Sequence, residues 1–112
     1  MHKIYSMAFS RIYPLYVTKV TKKNRTETEL RSVISWLTGF DDREIDSCIS
    51  SGQSLTEFFA GAHLNPQVVL ITGSVCGVKV QEVANPLMRS IRYMDKLVDE
   101  LAQGHDLSKI LR

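Results

Sequence analysis

The chain has 112 residues, 44% of them hydrophobic and 23% charged, with a formal net charge of +2. That is enough for one globular domain with a working core, expected here over residues 1–112. Cys48 and Cys76 are too few for a disulfide framework, and no apolar run approaches the roughly 20 residues a bilayer span needs. Residues 4–9 are too short an apolar run for a signal peptide, so a reduced, cytoplasmic setting is expected.

The small net charge conceals an uneven distribution. Residues 1–25 carry Lys3, Arg11, Lys19, Lys22, Lys23 and Arg25 with no acid, a net of +6. Residues 26–64 carry seven acids against Arg31 and Arg43, a net of −5, and residues 65–112 sum to +1. Such asymmetry marks either an anion-binding arm or a basic segment packed beside an acidic one.

In chain order, the first apolar stretch covers residues 4–23 and is interrupted by Pro14. Proline costs little at the first helical position and much inside a helix. The reading is therefore an irregular or short helical approach to Tyr13, then a helix over 14–23 whose terminal lysines suit the dipole. Thr26-x-x-Glu29, Asp41-x-x-Glu44 and Ser54-x-x-Glu57 next spell three helix starts. In each, a short oxygen-bearing side chain accepts from a first-turn amide, and the glutamate reaches back to the cap. The first helix aligns Leu30, Val33, Ile34 and Leu37 on one stripe, leaves Trp36 off it, and is closed by Gly39. The second carries Ile45, Cys48 and Ile49 and stops before Gly52. The third turns Leu55, Phe58, Phe59 and Ala62 inward.

Asn65-Pro66 and Asn85-Pro86 each join a good cap to a residue suited to the first helical position. After Asn85 the apolar seam Leu87, Ile91, Met94, Val98 and Leu101 predicts a long helix ending at Gly104, with a last turn opened by Asp106. Between the two pairs, apolar runs over 68–72 and 75–80 flank Gly73-Ser74, the signature of a type II′ hairpin. That turn places Val69 and Ile71 on a face with Cys76, Val78 and Val80. A helix over 66–80 is the alternative, at about 1 kcal/mol for each of its glycines. The expected fold class is mainly α: a compact domain of about five short helices with one small β-hairpin near 68–80.

The same residues place the chain beside a known family. HKIYSMAF at 2–9, YPLYVTKV at 13–20, RT at 25–26, WLTGF at 36–40, FF at 58–59 and LNP at 64–66 carry the likeness. LITG at 70–73, CGVKV at 76–80, PLM at 86–88, IRYMDKLVDELAQG at 91–104 and KILR at 109–112 complete it. Over essentially its whole length the chain resembles the domain of unknown function 2200 family, small uncharacterised prokaryotic proteins. The resemblance implies a compact prokaryotic domain and transfers no activity or site residue. Asn24 stands where the family pattern carries glycine, Lys79 where it carries arginine, and Asn85 where it carries an acid; turn, charge and cap survive each change.

Candidate chemistry is sparse. Lys19, Lys22, Lys23 and Arg25 form a possible anion-binding set, but the helices after residue 26 are net acidic and repel a phosphate backbone. A dipole-matched helix end is the preferred reading. Cys76 or His63 can be written as an enzyme's reactive group, yet no histidine sits at a telling distance, and Cys76 reads as a small buried hydrophobe. Cys48 gets the same reading. Asp41, Asp42, Glu44 and Asp46 lack calcium-loop spacing, and no metal or cofactor is expected. Arg92, Tyr93, Asp95, Lys96, Asp99 and Glu100 read as the wet face of the last long helix, with Arg92–Asp95 and Lys96–Glu100 able to pair. Tyr5, Phe9, Tyr13, Tyr16 and Trp36 read as core packing around Pro14.

The leading expectation is an interaction module, homodimeric through the hairpin edge or the long-helix seam. Its candidate interface is Val69, Ile71, Val78, Leu87, Ile91, Met94 and Val98. The alternatives are a nucleic-acid-binding regulator using the basic segment and an enzyme.

Overall fold

All three reciprocal caps form. In the computed structural model, which describes residues 2–112, Thr26 and Glu29 exchange hydrogen bonds of 3.1 and 3.0 Å, Asp41 and Glu44 of 2.8 and 3.1 Å, and Ser54 and Glu57 of 3.1 and 2.9 Å. They open α2 (Glu27–Thr38), α3 (Asp42–Ser50) and α4 (Leu55–Gly61). Before them runs α1 (Phe9–Thr21), and after them α5 (Pro86–Ala102) and α6 (Leu107–Ile110). A two-stranded antiparallel hairpin, β1 (Ser74–Val75) and β2 (Val78–Lys79), separates α4 from α5. The mainly helical globule and its hairpin are as the sequence predicts.

The start of α1 is not. It begins at Phe9, five residues before Pro14, because the chain there is held by tertiary pairing. The Phe9 amide donates to the Gln53 carbonyl at 2.8 Å, and the Leu55 amide donates to the Met7 carbonyl at 2.9 Å. The Phe9 ring then stacks on Phe58, with centroids 4.1 Å apart. Pro14 lies on the exposed face of the helix, where water can take up the carbonyl its ring leaves without a donor. At the other end Asn24 adopts φ 63, the left-handed conformation that explains glycine at that place in the family pattern.

The hairpin turns three residues later than the sequence predicts. Cys76 (φ 53) and Gly77 (φ 75) form the loop, both left-handed as a type I′ turn requires, and Ser74 pairs Lys79 while Val75 pairs Val78. The first predicted strand is instead a 3-10 turn over Pro66–Leu70, started by the Asn65 side chain on the Gln67 amide at 2.9 Å. A register set from Cys76-Gly77 buries Val75 and Val80 against α5; one set from Gly73-Ser74 would have aimed Cys76 and Val78 inward.

One continuous core joins these elements, with α5 at its centre, packed against α1, α2, α4 and β1. Its supposed wet face is half-buried and bonded across the core. Tyr16 donates to Asp95 at 2.6 Å, Lys19 meets Asp99 at 3.2 Å, and Arg112 forks onto buried Glu100 at 2.9 and 2.8 Å. Burial, then the Asp95 charge, pushes the Tyr16 hydroxyl well above the usual phenol range, so it remains a donor. Arg92–Asp95 forms at 3.1 Å as expected, but Lys96 turns to the Ser74 carbonyl at 3.3 Å and leaves Glu100 to Arg112. Of the five aromatic residues, Phe9, Tyr13 and Tyr16 are buried, while Tyr5 and Trp36 are half-buried.

Arg25 closes the assembly. Its guanidinium pairs with Glu29 at 2.8 Å and donates to the Leu101 and His105 carbonyls at 3.1 and 2.8 Å, capping the negative end of α5. The hydrogen-bonded Arg25 holds the Glu29 carboxyl down at about 2, aided by the Thr26 amide. A depressed carboxyl stabilises the fold above its ordinary titration range, and that contribution is lost as pH falls towards 2. Solvent at this helix start screens the contribution to about 1 kcal/mol. Glu29→Gln should therefore lower stability by about 1 kcal/mol at pH 7, with the deficit shrinking between pH 5 and pH 2. Urea denaturation across that range reads it, and a deficit independent of pH would remove the carboxylate from the explanation.

Candidate docking surface

The residues singled out in the sequence scatter. Of the basic set, Lys19 and Arg25 are bonded to α5 and its C-terminal end, while Lys22 and Lys23 stay exposed at the end of α1. Two of the four basic residues thus stand beside acids, Lys19 by Asp99 and Arg25 by Glu29. His63 is exposed after α4, and its imidazole makes no hydrogen bond among the described residues. Cys48 is buried, which pushes its thiol up. Cys76 is exposed at the hairpin tip, not buried, because the later turn carries it out of the inward register. The acidic cluster is divided as well. Asp41 and Glu44 cap α3, while Asp46 meets Arg31 at 2.7 Å, with Asp42 at 3.6 Å.

Among the interface candidates, Ile71, Ile91, Met94 and Val98 lie in the chain's own core. Leu87 and Val78 are half-buried, and Val69 is exposed. Each hairpin strand has two residues, which leaves little edge for a partner strand.

A different surface stands out. Residues 58–78 contain no Lys, Arg, Asp or Glu, although a quarter of the chain is charged. Charge depletion is what distinguishes the centre of a protein interface from ordinary surface. The fold turns part of this stretch outward: Leu64, Val69 and Leu70 expose 37, 73 and 53% of their surface. They are held there by backbone bonds at one end and a buried side chain at the other. The His63 and Asn65 amides donate to the Thr38 and Leu37 carbonyls at 2.8 and 3.1 Å, and Ile71 plugs into the core. Gly39 permits that seam, because a Cβ there would stand 3.3 Å from the His63 carbonyl oxygen.

Beside these side chains runs a groove of about 430 Å3, walled by Leu64, Val68, Val69, Ile71, Pro86 and Tyr93, with Gln81, Arg89 and Ser90 as its polar members. A shallower groove of about 310 Å3, lined by Thr56, Phe59, Ala60 and Leu87, adjoins it through Pro86 and Ser90. A larger one of about 670 Å3 follows the outer face of α2, but its arginine, Arg31, is already held by Tyr13 at 2.9 Å and by Asp46. The sequence signal for the uncharged surface was the missing charge, which apolar periodicity does not register.

Residues 3–112 match the family model described as an uncharacterized protein conserved in bacteria (DUF2200). The chain belongs to the DUF2200 family. The crystal structure of uncharacterized protein SP1917 is similar at a TM-score of 0.92 and 36% identity, across 99% of this chain and 93% of that one. No curated protein matches. Among the described residues, no helix is long and apolar enough to cross a membrane, and no group of three or more His, Cys, Asp or Glu is placed to hold a metal ion.

The two cysteines of this DUF2200 chain should separate cleanly. A maleimide probe should label Cys76 in the folded protein within minutes and reach Cys48 only after denaturation. Mass spectrometry of the labelled peptides reads the order, and equal labelling would contradict the turn position.

Proposed function

We propose that this chain is a protein-interaction module whose contact surface is the uncharged face around Leu64, Val69 and Leu70. One observation carries the reading: large apolar side chains stand exposed on a backbone tied at both ends, within a stretch free of charge and beside an apolar groove. Exposed apolar surface that collects beside a groove is a mark of binding rather than of fold maintenance.

Self-association is the simplest use of this surface. Two uncharged faces meet without like-charge pairs, whereas residues 1–25 or 26–64 set against their own copies would repel. Nucleic acid is less favoured, since Lys19 and Arg25 are already paired with Asp99 and Glu29. An enzyme is less favoured, since neither Cys76 nor His63 has an activating neighbour by hydrogen bond among the described residues.

Sedimentation velocity at 1 to 300 µM tests the self-associating form. The expected result is a concentration-dependent dimer that Val69→Asp abolishes while the melting temperature stays within about 2 °C, the residue being solvent-exposed. A wild-type chain that is monomeric throughout overturns self-association.

A further inference from the structure

Five arginines of this chain are half-buried: Arg25, Arg31, Arg89, Arg92 and Arg112. Four of them pair with a carboxylate, respectively Glu29, Asp46, Asp95 and Glu100, at 2.7 to 3.1 Å. Arg89 meets none among the described residues. One of its nitrogens donates to the Val83 carbonyl at 3.2 Å, which anchors the side chain, and the residue lines the apolar groove beside Val69. A guanidinium set in an apolar wall has lost part of its hydration, and a carboxylate is the group that best replaces it, often through two parallel hydrogen bonds. The uncharged face of a second copy brings no such group within residues 58–78.

We infer that this groove is a recognition slot for a segment of another protein that carries apolar side chains around one carboxylate, with Arg89 reading the acid. The inference rests on the uncharged face being a docking surface and is independent of self-association. The wall of Leu64, Val68, Ile71 and Tyr93 takes the apolar side chains, while Gln81 and Ser90 border the polar end. Affinity comes from the wall and discrimination from the single cation, the usual division in small sites. Because Val69 belongs both to the groove and to the exposed apolar face, an occupied slot and a self-paired face exclude one another.

A random nine-residue peptide library, displayed on phage and panned against the folded full chain, tests this directly. The expected result is enrichment of apolar peptides bearing one Asp or Glu. Arg89→Gln should weaken the best of them at least tenfold, with a melting temperature near wild type. Replacing the peptide's acid by its amide should cost the same factor on wild type and nothing further on Arg89→Gln, the signature of a direct pair. Val69→Asp should remove binding altogether. Enriched peptides without an acid, or peptides indifferent to Arg89→Gln, overturn the inference. If decanoate binds with the same Arg89 dependence while no peptide enriches, the slot takes a lipid-like acid and the peptide assignment falls. A chain monomeric in sedimentation that still binds the acidic peptide loses self-association and keeps the slot; a dimer whose peptides ignore Arg89 does the reverse.

Discussion

The fold turns on how α5 is buried. Half of its circumference is the apolar seam from Leu87 to Leu101, and that half needs no special help to enter a core. The other half carries Arg92, Asp95, Asp99 and Glu100, whose desolvation is unfavourable unless each charge meets a partner. Arg92 pairs with Asp95 on the same helix, and the other partners come from the ends of the chain. Tyr16 and Lys19, three residues apart on α1, reach Asp95 and Asp99, four apart on α5, so two polar pairs lie along one helix contact. Arg112 covers Glu100, and Arg25 takes the carbonyls at the helix's negative end. This is the physical sense of the acid-free first 25 residues. Part of their excess charge is an internal counterpart to α5.

Seen this way, the basic segment and the acidic cluster at 41–46 lose much of their claim as binding sites. Arg31 draws Asp46 and Tyr13 into one node, with its guanidinium 5.3 Å from the Tyr13 ring centre and the Tyr13 hydroxyl donating to Glu27 at 2.6 Å. Charge that is paired within the chain is poorly placed to greet a ligand. What remains is the opposite kind of surface, uncharged and partly apolar, with the unpaired Arg89 at its border. Among the five half-buried arginines, Arg89 is the one without a carboxylate partner among the described residues, and it stands in a groove.

The family relation strengthens the architecture and adds no chemistry. A similar fold in protein SP1917 at 36% identity shows that the arrangement of helices and hairpin tolerates many substitutions. Tolerance of that kind is expected where caps, glycine positions and core pairs hold the backbone, since each acts over a few residues or a few contacts.

Helix starts were legible in the sequence because a capping box is complete within four residues and needs nothing from the rest of the chain. The same holds for the seam of α5 and for the left-handed Gly39. Three features were not legible, and each depends on a distant partner. Proline chemistry is local and argued for a start at Pro14, but the Gln53 carbonyl, far along the chain, sets the start at Phe9. Gly73-Ser74 argued for the turn, but the chain turns at Cys76-Gly77, which buries Val75 against α5 and exposes Cys76. The polar side of α5 looked like a solvated surface because charge pattern cannot show that α1 and Arg112 lie opposite. Sequence alone thus determined where helices begin and which stripe of each is apolar, since those follow from short-range hydrogen bonds and periodicity. Only the tertiary structure decided which charges are satisfied and which apolar side chains are left outside, because both depend on the packing of segments far apart in the chain.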